Sequence, residues 1–459
     1  MSEMAADAPE PEDDPILKYY TLASAGQKGQ LQDMLSSERI TAARIETNAI
    51  VLGTEEGFVH VLSFAGQLIK SFKAHDRPVN DISVDNHGLT IASCSDNGTV
   101  VIHSIGPDED RESVVHMSEP LKAVCVEDDG ATKRDKSFIV GGASGQLTLH
   151  RTTWFAQKNV VLFQGADSAV QTISWRGYLV AWADASQVRL MDISTQSAIC
   201  YLDAPSGVGA SNPFPCALFW KSESDLFVTW ADSFRHIELT ATGPSLAGGV
   251  RDTIARTVAD WQADFIICGA SSFDADLVIL LGYVPPDEGE VETAYSWVNS
   301  KSFAAAPSAA AAAAVSSADP HTPGSASPPG LDGNHPEIQI CRRTTGEVVA
   351  ADSLPMQADL CRGPWQFMFL STYQCLTHAH DASRWKLSDI MDNRGGARGL
   401  CPVVFVVSPS QLVAGGVRDV NDRILVALTG HRLREAVNLA YGDKVCLCIL
   451  ISSSMPVKC

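Results

Sequence analysis

Short apolar runs joined by brief polar turns recur along the first half of the chain. In Ile50–Leu62, one such run passes through Thr54–Gly57 into a second. β-Branched runs linked by turns of this kind are typical of β-hairpins. The same unit returns at 90–102, 138–149 and 178–190. The aligned turn residues Gly57, Gly98, Gly145 and Ser186 follow one another at spacings of 41, 47 and 41.

A period near 40 residues with four short strands per unit indicates the blades of a β-propeller. The sequence therefore predicts a mainly-β fold, a WD40-like propeller of seven blades over residues 16–417. The runs at Val79–Val84 and 170–175 are predicted to be the outer strands of their blades. The segment Ile16–Leu22 is predicted to complete the last blade, because an open ring would leave strand edges unpaired.

Several segments do not follow the repeat. Residues 1–15 are acidic and are predicted to be a disordered tail. Residues 287–336 contain an alanine run followed by a Pro/Ser/Gly-rich run, and we interpret them as a low-complexity insertion into the propeller. A second long loop is expected at 377–400, after which Val403–Val407 is expected to close the β region.

The periodicity changes to a helical one after the propeller. Asp419 is placed to cap a first helix, and Gly430 separates it from a second apolar face over Arg432–Ala440. Residues 418–441 are therefore predicted to form a short α-hairpin, the unit with which helical solenoids begin. Residues 442–459 are predicted to be a divergent tail.

Charge narrows the classes of partner. The 34 Lys and Arg against 54 Asp and Glu give a net charge of −20. Nucleic acid and a polybasic membrane contact are therefore disfavoured, because both need a basic surface. The Arg394–Gly399 tract resembles RGG segments that bind nucleic acid, but we interpret it as a loop.

Features of the termini and cysteines indicate an intracellular protein. The N-terminal residues lack the basic and apolar regions of a secretory signal, and no apolar run is long enough to span a bilayer. The 12 cysteines are scattered without a CxxC pair, so we expect buried free thiols.

Motifs for phosphate, nucleophile and metal chemistry are missing from the sequence. No P-loop, HExxH or EF-hand pattern occurs. The segment Gly142–Gln146 lacks the last glycine of a nucleophile elbow and lies in a predicted turn. Phe273–Asp276 lacks the remaining ligands of a calcium loop. The cluster Cys375-x-x-His378-x-His380 falls short of four metal ligands at a recognised spacing.

The remaining candidate residues are also interpreted as structural. Acidic turn residues such as Glu55, Glu56 and Asp96 are expected to be solvated. The sequence thus assigns no catalytic, cofactor-binding or metal-binding residue, predicts that the chain is not an enzyme, and does not locate the face that binds partners. Four tryptophans at blade positions are expected to pack in the core rather than form a ligand cage: Trp175, Trp182, Trp220 and Trp230.

Several short sequence segments, taken together, resemble one protein family. They are Leu17-Lys18-Tyr19, Ser174–Ala183, Phe214-Pro215-Cys216 with Trp220, Phe273–Tyr283, Val407-Ser408-Pro409, and Arg418–Arg423 with Arg434-Glu435-Ala436. In this order they resemble the vacuolar protein sorting-associated protein 41 family, whose members are subunits of the HOPS tethering complex. The similarity runs over about residues 16–440, interrupted by the 287–336 insertion.

The resemblance implies a trafficking function. It implies an N-terminal propeller followed by a clathrin-heavy-chain-type solenoid, acting in docking and fusion at late endosomes, lysosomes or the vacuole and in protein sorting to the vacuole. The implied partners are other HOPS subunits, a Rab- or Arf-like small GTPase and an adaptor coat. The implied location is cytoplasmic, peripheral on those membranes. Most of the solenoid and the C-terminal RING-type zinc region of the family are not in this chain.

Two other classes of function stay open at this point. The first is a generic WD-repeat scaffold in another cytoplasmic pathway, and the second is a propeller enzyme. Co-purification with HOPS subunits or endolysosomal GTPases favours the trafficking function, whereas cytoskeletal or nuclear partners favour the scaffold. Activity that depends on a single Ser, Asp or His would favour the enzyme.

Overall fold

The computed structural model describes most of the predicted propeller. The described residues are 17–24, 30–46, 49–105, 110–128, 137–153, 156–165, 168–205, 216–242, 252–273, 276–283, 336–354, 369–375, 401–417, Leu425 and Leu428.

Within these described ranges, twenty-eight strands form seven four-stranded antiparallel sheets, which are the blades. Blade 1 contains β2 (Ile40–Glu46), β3 (Ala49–Thr54), β4 (Phe58–Leu62) and β5 (Leu68–Lys73); blade 2 contains β6 (Val79–Val84), β7 (Thr90–Ser95), β8 (Thr99–Ile105) and β9 (Asp110–His116); blade 3 contains β10 (Leu121–Val126), β11 (Ser137–Gly142), β12 (Gln146–Thr153) and β13 (Ala156–Gln164); blade 4 contains β14 (Thr172–Arg176), β15 (Leu179–Ala183), β16 (Gln187–Asp192) and β17 (Ser197–Asp203). Blade 5 contains β18 (Ala217–Trp220), β19 (Asp225–Trp230), β20 (Ser233–Thr242) and β21 (Asp252–Gln262); blade 6 contains β22 (Ile266–Ser272), β23 (Leu277–Tyr283), β24 (Pro336–Arg342) and β25 (Val348–Ser353); blade 7 contains β26 (Phe369–Cys375), β27 (Cys401–Ser408), β28 (Gln411–Val417) and β1 (Leu17–Ser24).

The blades close into a ring, as the sequence predicts. The first strand of each blade contacts the first strands of the blades on either side, and β26 contacts β2. The N-terminal strand β1 pairs with β28 from Leu17↔Val417 to Ser24↔Gln411 and supplies the fourth strand of blade 7. The backbone N–H of Leu17 also donates to Asp352 Oδ2 of blade 6 at 2.8 Å.

One prediction about strand position is wrong. The runs at Val79–Val84 and 170–175 were expected to be outer strands, but β6 and β14 are the innermost strands of blades 2 and 4. In blades 1 to 6, the first strand along the chain lies at the ring centre and packs against the neighbouring blades, and the next three strands lie progressively farther out. Blade 7 has the same order, with the N-terminal strand β1 as its outermost strand. The β region also continues beyond Val403–Val407, since β28 follows β27.

The buried apolar residues that the structure describes form seven clusters, one for each junction between neighbouring blades. Successive side chains of a strand point to opposite faces of its sheet. In β3, Ile50 and Leu52 therefore pack toward blade 7, whereas Val51 packs toward blade 2. A blade buries both faces only inside the ring, so the fold depends on closure.

A single α-helix, α1 (Gln30–Ser37), lies in the described part between β1 and β2. Leu31 and Leu35 are buried in the cluster between blades 7 and 1, and Met34 packs against it. We did not predict this helix, although Leu31, Met34 and Leu35 show the i, i+3, i+4 spacing of an amphipathic helix. It covers the junction at which the ring closes.

The two ends of the strands define two faces. The α1 face carries α1, the links between blades and the turn between the second and third strand of each blade. The terminal face carries the other turns. Since Leu17 pairs with Val417, the chain enters β1 and leaves β28 on the terminal face.

Several predicted segments fall outside the described residues. These are the tail at 1–15, the insertion at 287–336 except Pro336, the loop at 377–400 and the tail at 442–459. Within the predicted α-hairpin at 418–441, Leu425 and Leu428 are described and both are helical. The hairpin therefore stays a prediction. No helix in the described ranges has the length and apolarity needed to cross a membrane.

Candidate interaction surfaces

The turns of the α1 face carry the acidic residues that the sequence singles out. Glu55 and Glu56 are exposed in the β3–β4 turn. Asp96 has a different role from the solvated one expected. Its Oδ1 accepts from Asn80 Nδ2 at 2.8 Å and pairs with Lys122 Nζ at 2.6 Å. Because Asn80 also donates to Leu121 O at 2.6 Å, this group joins blades 2 and 3.

A second carboxylate joins the same two blades near the centre of the ring. Asp81 accepts from its neighbour Ile82 N at 2.8 Å and from Val124 N of β10 at 2.9 Å. The register of β6 shifts between Val79 and Asp81, directly beside this carboxylate. Burial raises the pKa of Asp81 to about 6, although the charge of Arg44 opposes the shift. Sequence reasoning missed this residue, since an isolated Asp in an apolar strand carries no periodic signal.

His75, in the link between blades 1 and 2, lies in a buried hydroxyl network. Its Nδ1 is 2.7 Å from Thr99 Oγ1 and its Nε2 is 2.8 Å from Ser93 Oγ. Thr99 Oγ1 donates its proton to Asn97 Oδ1 at 2.6 Å and so accepts from His75 Nδ1–H. Nε2 then accepts from the Ser93 hydroxyl. His75 is 2% exposed, and burial lowers its pKa to about 4.

A further buried histidine lies between blades 5 and 6. His236 Nε2 donates to Asp225 Oδ1 at 2.7 Å, and Arg343 Nη1 donates to His236 Nδ1 at 3.4 Å. Burial lowers the pKa of His236, and the bond to Asp225 opposes that shift. Burial opposes ionisation of Asp225, but hydrogen bonds from Ser222 and His236 outweigh it and lower the pKa of this carboxyl.

These two histidine groups have the residue types of a catalytic relay in a different geometry. In a serine relay the hydroxyl contacts the imidazole, and the carboxylate contacts the other ring nitrogen. Here the hydroxyl of Ser222 donates to Asp225 Oδ2 at 2.5 Å, while an arginine binds the free nitrogen of His236. Ser93 does contact His75, but it is 1% exposed. The His75 group thus joins the link between blades 1 and 2 to blade 2, and the His236 group joins blade 5 to blade 6.

On the terminal face, one arginine connects three blades. Arg176, at the end of β14, pairs with Asp128 of blade 3 at 3.2 Å and with Glu223 of blade 5 at 2.8 Å. The Asn86 N–H in turn donates to Asp128 O at 3.4 Å. This row of turns spans blades 2 to 5. Because Arg176 is about a third exposed, we interpret the pairs as fixing turn positions rather than as a large source of stability.

The structure supports the structural interpretation of the remaining candidates that it describes. In the Gly142–Gln146 turn, Ser144 N and Oγ both donate to the Glu119 carboxylate, at 2.7 and 3.0 Å. Trp175, Trp182 and Trp230 are buried, and Trp220 packs against the core between blades 4 and 5.

Cysteines and metal ligands give no further site within the described ranges. The six cysteines whose side chains are described are all free thiols. Burial raises the pKa of Cys125 and Cys200 to about 11. No metal-binding group of three or more His, Cys, Asp or Glu occurs among the described residues. The Cys375-x-x-His378-x-His380 cluster and the Arg394–Gly399 tract lie outside them, apart from the backbone of Cys375.

Comparison with known proteins identifies similar sequences. Residues 17–308 match the family model Beta-prop_Vps41, described as "Vps42 beta-propeller". The chain is 28% identical over 425 residues to the vacuolar protein sorting-associated protein 41 homolog of Solanum lycopersicum, covering 90% of this chain and 38% of that protein. It is 31% identical over 291 residues to the Arabidopsis thaliana homolog, covering 62% and 29%. The human homolog is 25% identical over 286 residues, covering 61% and 32%.

Similarity to a solved structure supports the fold of this chain and says nothing about its function. The β-propeller domain of Myceliophteria thermophila Cps50 (Swd1) superposes with a TM-score of 0.52 and 12% identity, over 83% of this chain and 96% of that one. The chain spans 29–38% of the length of the three relatives named above, so their complete activities do not transfer directly.

Proposed function

Because the chain belongs to the vacuolar protein sorting-associated protein 41 β-propeller family, we propose that it acts as a non-enzymatic propeller subunit in vesicle tethering. The proposed process is docking and fusion at late endosomes, lysosomes or the vacuole, with protein sorting to the vacuole, as part of a HOPS-type complex. The observation that carries the proposal is the family match over 17–308. That match starts at the closing strand β1 and extends past the second strand of blade 6.

The proposed contacts are protein partners on a membrane surface. A GTP-loaded Rab- or Arf-like GTPase, or an adaptor coat, is the class of partner that the family resemblance implies. Attachment to the membrane is then peripheral. The chain leaves the propeller at Val417 on the terminal face, so a following solenoid would lie against that face. We therefore place the partner contact on the α1 face.

Two exposed turn glutamates at opposite ends of the strands test this placement. Glu55 lies in a turn of the α1 face, and Glu347 lies in the β24–β25 turn of the terminal face. A Glu→Lys change at either site gives the same change in charge. We expect Glu55→Lys to weaken capture of GTP-loaded endolysosomal GTPases, and Glu347→Lys to leave it unchanged. Equal effects would contradict the placement.

A single propeller contact should not tether membranes alone. Tethering needs two linked contacts, so that the second forms at a high effective concentration. We expect the purified chain to bind liposomes that carry a membrane-anchored GTPase without clustering them, as read by light scattering. Clustering without other subunits would refute the single-contact proposal. Capture of cytoskeletal or nuclear partners, with no binding to any endolysosomal GTPase or adaptor, would favour a generic scaffold.

A further inference from the structure

The turn between β24 and β25 carries the only pair of adjacent arginines in the sequence. Arg342 and Arg343 lie three and two positions before Thr345. Protein kinases distinguish their substrates by the pattern of charges around the acceptor hydroxyl. A basophilic serine/threonine kinase selects arginine at these two positions, because its own carboxylates bind the guanidinium groups. The neighbouring hydroxyl of Thr344 lies one position closer to both arginines and does not match this pattern.

The turn holds the Thr345 hydroxyl at the surface of blade 6. Arg342 N donates to Glu347 O at 2.8 Å and closes the hairpin, and Gly346 N donates to Arg342 O at 2.8 Å. Gly346 has a φ of 74°, the left-handed conformation that reverses the chain here. Thr344 and Thr345 are both exposed between these bonds. A kinase therefore needs only to extend this short loop, without opening a blade, to reach the hydroxyl.

The contacts of the two arginine side chains are weak enough for a kinase to replace them. Arg342 is 55% exposed and pairs at 2.8 Å with Glu347, which is 66% exposed. Exposed ion pairs of this kind contribute little to stability. Arg343 is 20% exposed, but Nη1 lies 3.4 Å from His236 Nδ1 and Nη2 lies 4.0 Å from Asp276 Oδ1. Its Nε has no hydrogen-bond partner among the described residues.

We propose that Thr345 is a phosphorylation site for a basophilic serine/threonine kinase that acts on the folded propeller. In this step the Thr345 hydroxyl oxygen forms a bond to the γ-phosphorus of Mg-ATP, and the bond from that phosphorus to the β–γ bridging oxygen breaks. ADP leaves with the electron pair, and the hydroxyl proton passes to a base of the kinase. The phosphate adds about −1.5 to −2 charge at pH 7. It then competes with Glu347 for the guanidinium of Arg342.

Labelling of the full chain tests the proposal, with Mg-ATP and the catalytic subunit of cyclic-AMP-dependent protein kinase, which selects arginine at these positions. Mapping by mass spectrometry should find phosphate on Thr345. Thr345→Ala should abolish the labelling of the turn, and the matched control Thr344→Ala should retain it. Arg342→Ala should slow labelling by about tenfold or more, because a charge-assisted contact with the kinase is lost. Glu347→Gln, which releases Arg342 from its ion pair, should speed it.

A synthetic peptide of residues 338–350 shows whether the folded turn is itself the substrate. The peptide presents the same acceptor without the hairpin, and the native chain should be labelled within roughly tenfold of its rate. All variants should keep the urea midpoint of the native chain, which excludes unfolding as the source of labelling. Labelling of the peptide but not of the native chain would overturn the proposal. So would labelling of neither, or equal labelling of Thr344 and Thr345.

Discussion

The buried ring of His75 makes the stability of the propeller dependent on pH. Burial lowers its pKa to about 4, against 6.5 for an ordinary histidine. Above pH 6.5 the ring is neutral in both the folded and the unfolded chain and contributes no pH dependence. As the pH falls below 6.5, His75 binds a proton in the unfolded chain, whereas in the folded chain it stays neutral until about pH 4. Stability is therefore lost between these two values.

The size of the effect follows from the shift. One pKa unit corresponds to about 1.4 kcal/mol, so His75 alone should cost about 2 kcal/mol of unfolding free energy at pH 5 and about 3 kcal/mol at pH 4. Burial also lowers the pKa values of His60, His150 and His236, so these rings act in the same direction. The structural cause at His75 is burial, because a ring that is 2% exposed cannot be hydrated when it is charged.

The assay is urea unfolding at pH 7 and pH 5, followed by circular dichroism. His75→Gln keeps a hydrogen-bonding side chain but cannot titrate. We expect this variant to be less stable than the native chain at pH 7, yet to lose about 2 kcal/mol less on going to pH 5. His116→Gln, at an exposed position of β9, is the control and should lose as much as the native chain. If His75→Gln and the native chain lose the same amount, the reasoning is refuted.

Three further predictions concern the ring itself. Removing residues 1–14 should leave the melting temperature nearly unchanged, whereas removing 1–24 deletes β1 and should lower it or abolish soluble expression; equal stability of the two truncations would contradict closure by β1. Gly282→Ala should destabilise by about 1–3 kcal/mol in urea unfolding, because a Cβ there would lie 1.5 Å from the buried ring of Phe265. Arg176→Ala should cost less than about 1 kcal/mol in the same assay, since its ion pairs are partly exposed.

The hairpins and the closure of the ring were predictable because they rest on local signals. Gly57, Gly98 and Gly145 all have φ between 75° and 83°, and the aligned spacing marks the turns that need this conformation. At the fourth turn Ser186 replaces glycine. There the Asp184 carboxylate accepts from the backbone of Ser186 and Gln187 at 2.7 and 3.0 Å. Hydrogen bonds to the Asp184 side chain thus stabilise this turn, which has no glycine at the aligned position.

Features that join one blade to the next were not predictable from the sequence. Asp81 and Asn80 each bind backbone atoms about 40 positions away, and their partners are fixed only once the ring is closed. The position of each strand between the ring centre and the rim is likewise fixed only once the ring is closed. β6 carries the apolar residues Val79, Ile82 and Val84, but a strand at the ring centre and one near the rim can share that pattern. The sequence pattern therefore does not distinguish the inner strand of a blade from the outer one.

Closure also explains where the chain accommodates its two longest connections. An insertion within a strand would move every following side chain to the other face and disrupt two core clusters. A longer turn costs only loop entropy, about 2 kcal/mol for an increase from about 4 to about 50 residues. The connections at 284–335 and 376–400 both fall at turns, and the strands that flank each of them pair over seven positions. The chain can therefore change length at its two faces without opening the ring.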